Sequence, residues 1–261
     1  MKRLSVAALA LAMAGSAFAA APDARPVRFI LVGDSTMAHY SGYGDAFCAH
    51  VKRSNNCTNL AKGGRSSGSF RAEGRWDEVQ GMLRGSAAYR ATYVLIQFGH
   101  NDQPGKPGRS TDFVTEFPVN MARYVDEVRA LGGVPVLVTP LTRRSFRPDG
   151  ILKNDLAPWA DVIRKTAASK NAPLLDLNTD SYNAVQAMGE AEADTLAVAP
   201  KPAAAPAAAN SAAAEPQGAP KSEFDHTHTG PKGAAFFARM VMNEMKAAIP
   251  ELTKEFQDVA Q

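Results

Sequence analysis

Cysteine is scarce in this chain, and the first does not come until Cys48. Its position bears on the N-terminus, which opens with Met1-Lys2-Arg3, runs through apolar residues 4–14 and reaches Ala17-Phe18-Ala19. A short basic start, an apolar run and an A-x-A site are the marks of a secretory signal peptide, here residues 1–19. With no Cys closing that run, a bacterial lipoprotein anchor is not expected. The run is also too short for the ~20 helical residues a bilayer demands, so no stable membrane anchor is expected. A marked excess of charge of either sign is lacking too. The formal net charge of +3 falls to +1 once Lys2 and Arg3 are removed. Nothing in that balance suggests nucleic acid or strong membrane attraction. The expectation is an exported protein, periplasmic or secreted.

Residues 20–261 are enough for one α/β domain. The two cysteines, Cys48 and Cys57, lie close in sequence. In a cytosolic protein they would read as free thiols. In an exported one they are expected to form a disulfide.

Apolar runs at 27–32, 92–98 and 134–139 end at Gly or Pro, and a weaker one covers 172–177. They do not alternate with polar residues, which predicts strands covered on both faces, as in parallel sheets. Helical spacing lies between them. Residues 118–131 carry Met121, Val125 and Val128 and stop at Gly132-Gly133; 156–169 carry Leu156, Trp159, Ala160 and Ile163. The stretch 233–249 should turn Phe236, Phe237, Met240 and Met245 inward. Strand–helix alternation predicts an open sheet with right-handed crossovers. Residues 197–222, almost all Ala and Pro, are expected to form a disordered or extended insertion.

Chemistry concentrates at the ends of those runs. The first delivers Gly33-Asp34-Ser35-Thr36, where open α/β sheets place their ligands. It is not the G-x-S-x-G elbow, because Met37 stands where the last Gly would be. Alone, Ser35 could equally be a helix cap, and Asp34 is expected to shape the turn. Near the other end stands Asp225-His226-Thr227-His228. Asp225 and His228, three apart, can hydrogen-bond and so fix the tautomer of a basic imidazole. Zinc would need further ligands than this loop supplies, so no metal or other cofactor is expected. The turn 59–66 (NLAKGGRS) can aim main-chain N–H groups at an oxyanion, and Asn101 in Phe98-Gly99-His100-Asn101-Asp102 can add a side-chain amide. His39 and His50 carry no assigned role, and His100 is expected to be structural.

Taken together and in this order, the GDS, NLAKGGRS, FGHND and DHTH blocks resemble the SGNH (GDSL-like) hydrolase superfamily. GDST, GGRSS, FGHND and TPLTRR are most similar to its rhamnogalacturonan acetylesterases and related carbohydrate acetylesterases. The resemblance implies a three-layer, flavodoxin-like α/β fold with a mainly parallel sheet of about five strands flanked by helices. It implies a triad of Ser35, His228 and Asp225, and an oxyanion hole from Ser35, Gly64 and Asn101. The insertion before Asp225 departs from the pattern and puts substrate access in question.

On that reading, Ser35 attacks an ester carbonyl while His228 takes its proton, and activity falls as His228 becomes protonated. Lys62, Arg65, Arg143 and Arg144 are candidate contacts for the uronate carboxylates of an acetylated polysaccharide or oligosaccharide. Tyr40, Phe70 and Trp76 are candidate platforms for sugar rings. A lipase or thioesterase on the same fold, and an inactive carbohydrate-binding protein, are the rival expectations.

Overall fold

The computed structural model describes residues 23–201 and 224–257. The expected signal peptide lies outside the described residues, as does most of the Ala/Pro-rich segment. In chain order the strands and α-helices are β1 (Val27–Gly33), α1 (Gly44–His50), β2 (Asn56–Asn59), α2 (Ser69–Ala72), α3 (Arg75–Arg84) and β3 (Ala91–Gln97). Then follow α4 (Phe117–Ala130), β4 (Val134–Val138), α5 (Ala157–Lys170), β5 (Leu174–Leu175), α6 (Leu177–Asp194) and α7 (Pro231–Ala248).

The strands form one parallel sheet in the order β2-β1-β3-β4-β5. Alternate residues of β1, β3 and β4 feed two cores, which explains their continuous apolar runs. Phe29, Leu31, Tyr93, Leu95, Val136 and Val138 face a core closed by Phe47, Phe237, Val241 and Met245 of α1 and α7. Ile30, Val32, Val94, Ile96 and Leu137 face the other, closed by Val79, Met121, Val125, Val128 and Ile163 of α3, α4 and α5. Two of the proposed sugar platforms belong to this second core. Phe70 and Trp76 are 0% and 2% exposed, and Trp76 spends its indole N–H on Glu127. They pack the fold and cannot meet a sugar.

Chain order reverses between β1 and β3, the switch point where such sheets open a crevice at the carboxyl ends of their strands. β1 pairs with β3 along its whole length, from Val27 opposite Ala91 to Gly33 opposite Gln97. The turns after the two strands therefore leave the sheet side by side, one carrying Ser35 and the other Asn101.

Of the Ala/Pro-rich segment, residues 197–201 are described. Ala197 bridges Thr229, the Val198 N–H donates to the His228 carbonyl, and the Gly230 N–H donates to Leu196. These bonds anchor the approach to the Asp225–His228 loop. At the opposite margin a Cys48–Cys57 disulfide joins α1 to β2, with Cα atoms 5.3 Å apart. Its loop, nine residues of sequence separation, is short. Replacing both cysteines by Ser should therefore lower the unfolding free energy by about 2–3 kcal/mol. Urea melts of the two proteins measure this; coincident midpoints would contradict it.

Candidate active site

Ser35 sits on a turn that its neighbours hold rigid. Asp34 is fully buried and its Oδ1 accepts from the Thr36 N–H at 2.9 Å and the Thr36 hydroxyl at 2.8 Å. Gln97, at the end of β3, donates to Thr36 Oγ1 at 2.6 Å and accepts from the Tyr43 hydroxyl at 2.7 Å. Ser41 Oγ donates to the Ser35 carbonyl at 2.8 Å. The chain then folds back so tightly that a Cβ on Gly42 would lie 2.2 Å from the Thr36 carbonyl. A side chain has no room there.

His228 arrives from the other end of the sequence. Its Nε2 is 2.7 Å from Ser35 Oγ, and its Nδ1 is 2.7 Å from Asp225 Oδ2. The second carboxylate oxygen of Asp225 accepts from the main-chain N–H of Thr227 at 2.8 Å and of His228 at 2.9 Å. Burial pushes this carboxyl upward, but the hydrogen bonds from His228 and Thr227 outweigh it and hold the pKa below the ordinary value. Asp225 therefore stays ionised beside the imidazole near neutral pH. The three-residue spacing produces this geometry because the intervening N–H groups cap the same carboxylate.

The second and third blocks close over Ser35. The turn with Gly63 and Gly64 comes so near that a Cβ on Gly63 would stand 3.7 Å from Ser35 Cβ, and Gly64 has φ +78°, which favours glycine. Among the described residues, the main-chain N–H groups of Ser35 and Gly64 have no hydrogen-bond acceptor. Asn101 Nδ2 spends one hydrogen on the Arg65 carbonyl at 3.1 Å and keeps its second. Asp102 ties the same two loops together from beneath: its Oδ1 accepts from the Ser67 hydroxyl at 2.6 Å, the Ser67 N–H at 3.0 Å and the Thr111 hydroxyl at 2.9 Å.

His100 lies under this assembly, with Nδ1 3.3 Å from Asp34 Oδ2. Burial holds its pKa below the ordinary value, while Asp34 acts in the other direction. It is a buried neighbour of the Ser35 turn and makes no hydrogen bond to Ser35. Among the described residues, no group of three or more His, Cys, Asp or Glu side chains could hold a metal.

The basic residues divide. Lys62 is exposed. Arg65 pairs with Glu73 at 2.8 Å and donates to the Gly63 carbonyl at 2.8 Å, so it shapes the glycine turn. Arg143 bonds Asp155 and donates to Gln103 at 2.8 Å. Arg144 is not a substrate contact: it is 0% exposed, and its guanidinium is spent on main-chain carbonyls of the Asp225–His228 loop. A guanidinium out of solvent, with both Nη atoms spent on that loop, cannot hold a carboxylate from solvent.

Two other cations were missed in the sequence. Arg109 Nη1 would lie 3.4 Å from a Cβ on Gly64. Lys106 is half-buried, and burial lowers its pKa along with repulsion from Arg143 and Arg109. Both belong to QPGKPGRS at 103–110, directly after Asn101-Asp102; that adjacency was the available signal. Of the aromatic candidates, Tyr40 is 96% exposed on the loop that follows Ser35.

Burial pushes the Asp102 carboxyl from 3.8 up to about 6, against the hydrogen bonds from Ser67 and Thr111. The native state thus binds this proton more tightly than the unfolded chain, and Asp102 removes stability as pH rises through that window. Asp102→Asn keeps the Oδ1 acceptor and cannot ionise. Its stability relative to the parent should climb by up to about 3 kcal/mol as pH rises from about 4 to about 6. Denaturant melts at stepped pH read the difference; a constant difference would contradict it.

Comparison with known proteins gives the family. Residues 31–235 match the model of the GDSL-like lipase/acylhydrolase family. The rhamnogalacturonan acetylesterase RhgT of Bacillus subtilis (strain 168) is 31% identical over 224 residues, covering 83% of this chain and 88% of that protein. A solved Bacillus subtilis structure superposes with TM-score 0.64 at 22% identity, over 85% of this chain and 56% of that longer one. The acetylxylan esterase Axe2 of Geobacillus stearothermophilus gives TM-score 0.56 at 15% identity, over 84% of this chain and 93% of that one, a likeness of fold. A five-stranded parallel sheet flanked by helices, the four ordered blocks and a family match over most of its length place this chain in the GDSL-like lipase/acylhydrolase family.

Proposed function

We propose that this chain is an exported serine esterase that removes acetyl groups from a plant-wall polysaccharide, in the first instance pectic rhamnogalacturonan. The observation that carries the reading is the continuous line from Asp225 through His228 to Ser35, with both contacts at 2.7 Å. Three unspent donors beside it supply the rest.

In the proposed reaction His228 Nε2 takes the Ser35 proton as Oγ attacks the acetyl carbonyl, and Asp225 stabilises the imidazolium. The oxyanion lies among the N–H groups of Ser35 and Gly64 and the free hydrogen of Asn101 Nδ2. Each such donor is worth roughly 3–4 kcal/mol of barrier. As the bond between the acetyl carbon and the sugar oxygen breaks, the proton on His228 passes to that oxygen and the sugar leaves as an alcohol. Water, deprotonated by the same imidazole, then releases acetate and restores Ser35.

The substrate class rests on two supports. A relative that shares most of its length with this chain bears the name of a rhamnogalacturonan acetylesterase. Lys62, Lys106, Arg109 and Arg143 gather on the loops around the oxyanion turn, where cations would hold the uronates of a pectic backbone.

Acetate release from acetylated rhamnogalacturonan, acetylated xylan and 4-nitrophenyl acetate tests this. Rhamnogalacturonan should be deacetylated fastest, and Ser35→Ala should abolish release from all three. Preference for long-chain acyl esters would instead favour a lipase. Glycan binding without turnover would favour a carbohydrate-binding protein. A second expectation concerns charge: Lys106→Ala/Arg109→Ala should raise KM on the polysaccharide about tenfold or more, the effect of losing charged contacts. Turnover of the small ester should be unchanged; equal effects on both substrates would remove these cations from recognition.

A further inference from the structure

Arg144 follows β4 on a stretch fixed to the sheet edge, where the Thr139 N–H donates to Leu175 and the Thr142 N–H to Ser181 Oγ. Its own bonds all run to one place. The main-chain N–H donates to the His226 carbonyl at 2.8 Å. Nη1 donates to the Thr227 carbonyl at 3.3 Å, and Nη2 to those of Asp225 at 2.9 Å and His228 at 2.8 Å. Four consecutive carbonyls of the Asp225–His228 turn thus end on a single residue.

The chemistry of that choice is informative. Taking a guanidinium out of water carries a large desolvation penalty, and an apolar side chain of similar volume would fill the space more cheaply. Burial lowers the Arg144 pKa to about 10, with the charges of Asp225 and Asp194 opposing, so it remains a cation near neutral pH. No carboxylate side chain is among its hydrogen-bond partners. What it satisfies is the outer, carbonyl side of a turn whose inner, N–H side is satisfied by Asp225 Oδ1. Beyond the turn, the Thr229 N–H donates to the Ser41 carbonyl at 3.0 Å, and Ser41 in turn holds the Ser35 carbonyl.

We propose that Arg144 is a positioning residue for the reaction: by gathering the carbonyls of residues 225–228 it sets the register of the His228 imidazole against Ser35 Oγ. The proposal rests on the serine esterase reading above. It touches neither substrate nor reacting atoms, so its loss should appear in turnover rather than in binding.

The test uses the full chain carrying Arg144→Gln or Arg144→Lys. Kinetics on 4-nitrophenyl acetate are measured beside the rate at which a fluorophosphonate labels Ser35, with folding checked by circular dichroism. Misplacing a proton acceptor by about an ångström costs ~10²-fold. Arg144→Gln should lose about that in kcat and in labelling rate while KM changes little, and Arg144→Lys should lose less. Guanidinium ion at non-denaturing concentration should restore part of the Arg144→Gln rate. A folded Arg144→Gln with parental kcat would overturn the proposal, and so would a loss confined to KM. Failure of both variants to fold would overturn it too, because Arg144 would then serve the fold alone. If the parent protein neither turned over the ester nor took the label, the esterase reading itself would fall, a result visible without any variant.

Discussion

The parallel pairing of β1 with β3 is the constraint on which the rest of the site depends. Gly33 opposes Gln97 at the carboxyl end of the sheet, so the two following turns must emerge together at the topological switch point. Ser35 needs no long-range contact of its own to find Asn101; the sheet register delivers both. That register is secured by burial, since residues on both faces of β1 and β3 enter separate cores. A one-residue slip would send the core residues of one face into the other.

Around this pair, buried polar side chains do the work that apolar packing does elsewhere. Asp34 holds the Ser35 turn, Asp102 ties the glycine turn to the Asn101 loop, and Arg144 gathers the Asp225–His228 turn. Each lies out of solvent and saturates several donors or acceptors of a short loop. A single well-packed apolar contact would not fix direction, whereas a set of hydrogen bonds does. In the proposed reaction these residues preorganise the groups that bear developing charge.

Much of this was legible in the sequence, for physical reasons that also mark where reading failed. The runs that became β1, β3 and β4 stood out because both faces are buried and every residue is constrained to be apolar. β2 (Asn56–Asn59) did not, since among the described residues it pairs with β1 alone, and its residues, exposed or half-buried, are polar apart from Cys57. α6 was missed because its buried side includes Asn178 and Ser181 beside Leu177, Val185 and Ala193. Ser35, Asp225 and His228 were readable because their spacing is local and their blocks are ordered. Arg144 was misread as a solvent-facing cation, because nothing in one dimension reveals four carbonyls converging on it. Phe70 and Trp76 were misread too: the four-residue α2 gives Phe70 no periodic signal, whereas Trp76, Val79 and Leu83 lie at the three- and four-residue spacing of an inward helix face.

In the proposed reaction Ser35 becomes acylated by way of His228. Rapid quenching of the protein with an acetyl ester, followed by peptide mapping in a mass spectrometer, tests that claim directly. One acetyl group is expected on the peptide containing Ser35, and none on that peptide when His228 is replaced by Ala. Turnover that proceeds with no adduct on Ser35, and that survives Ser35→Ala, would contradict it.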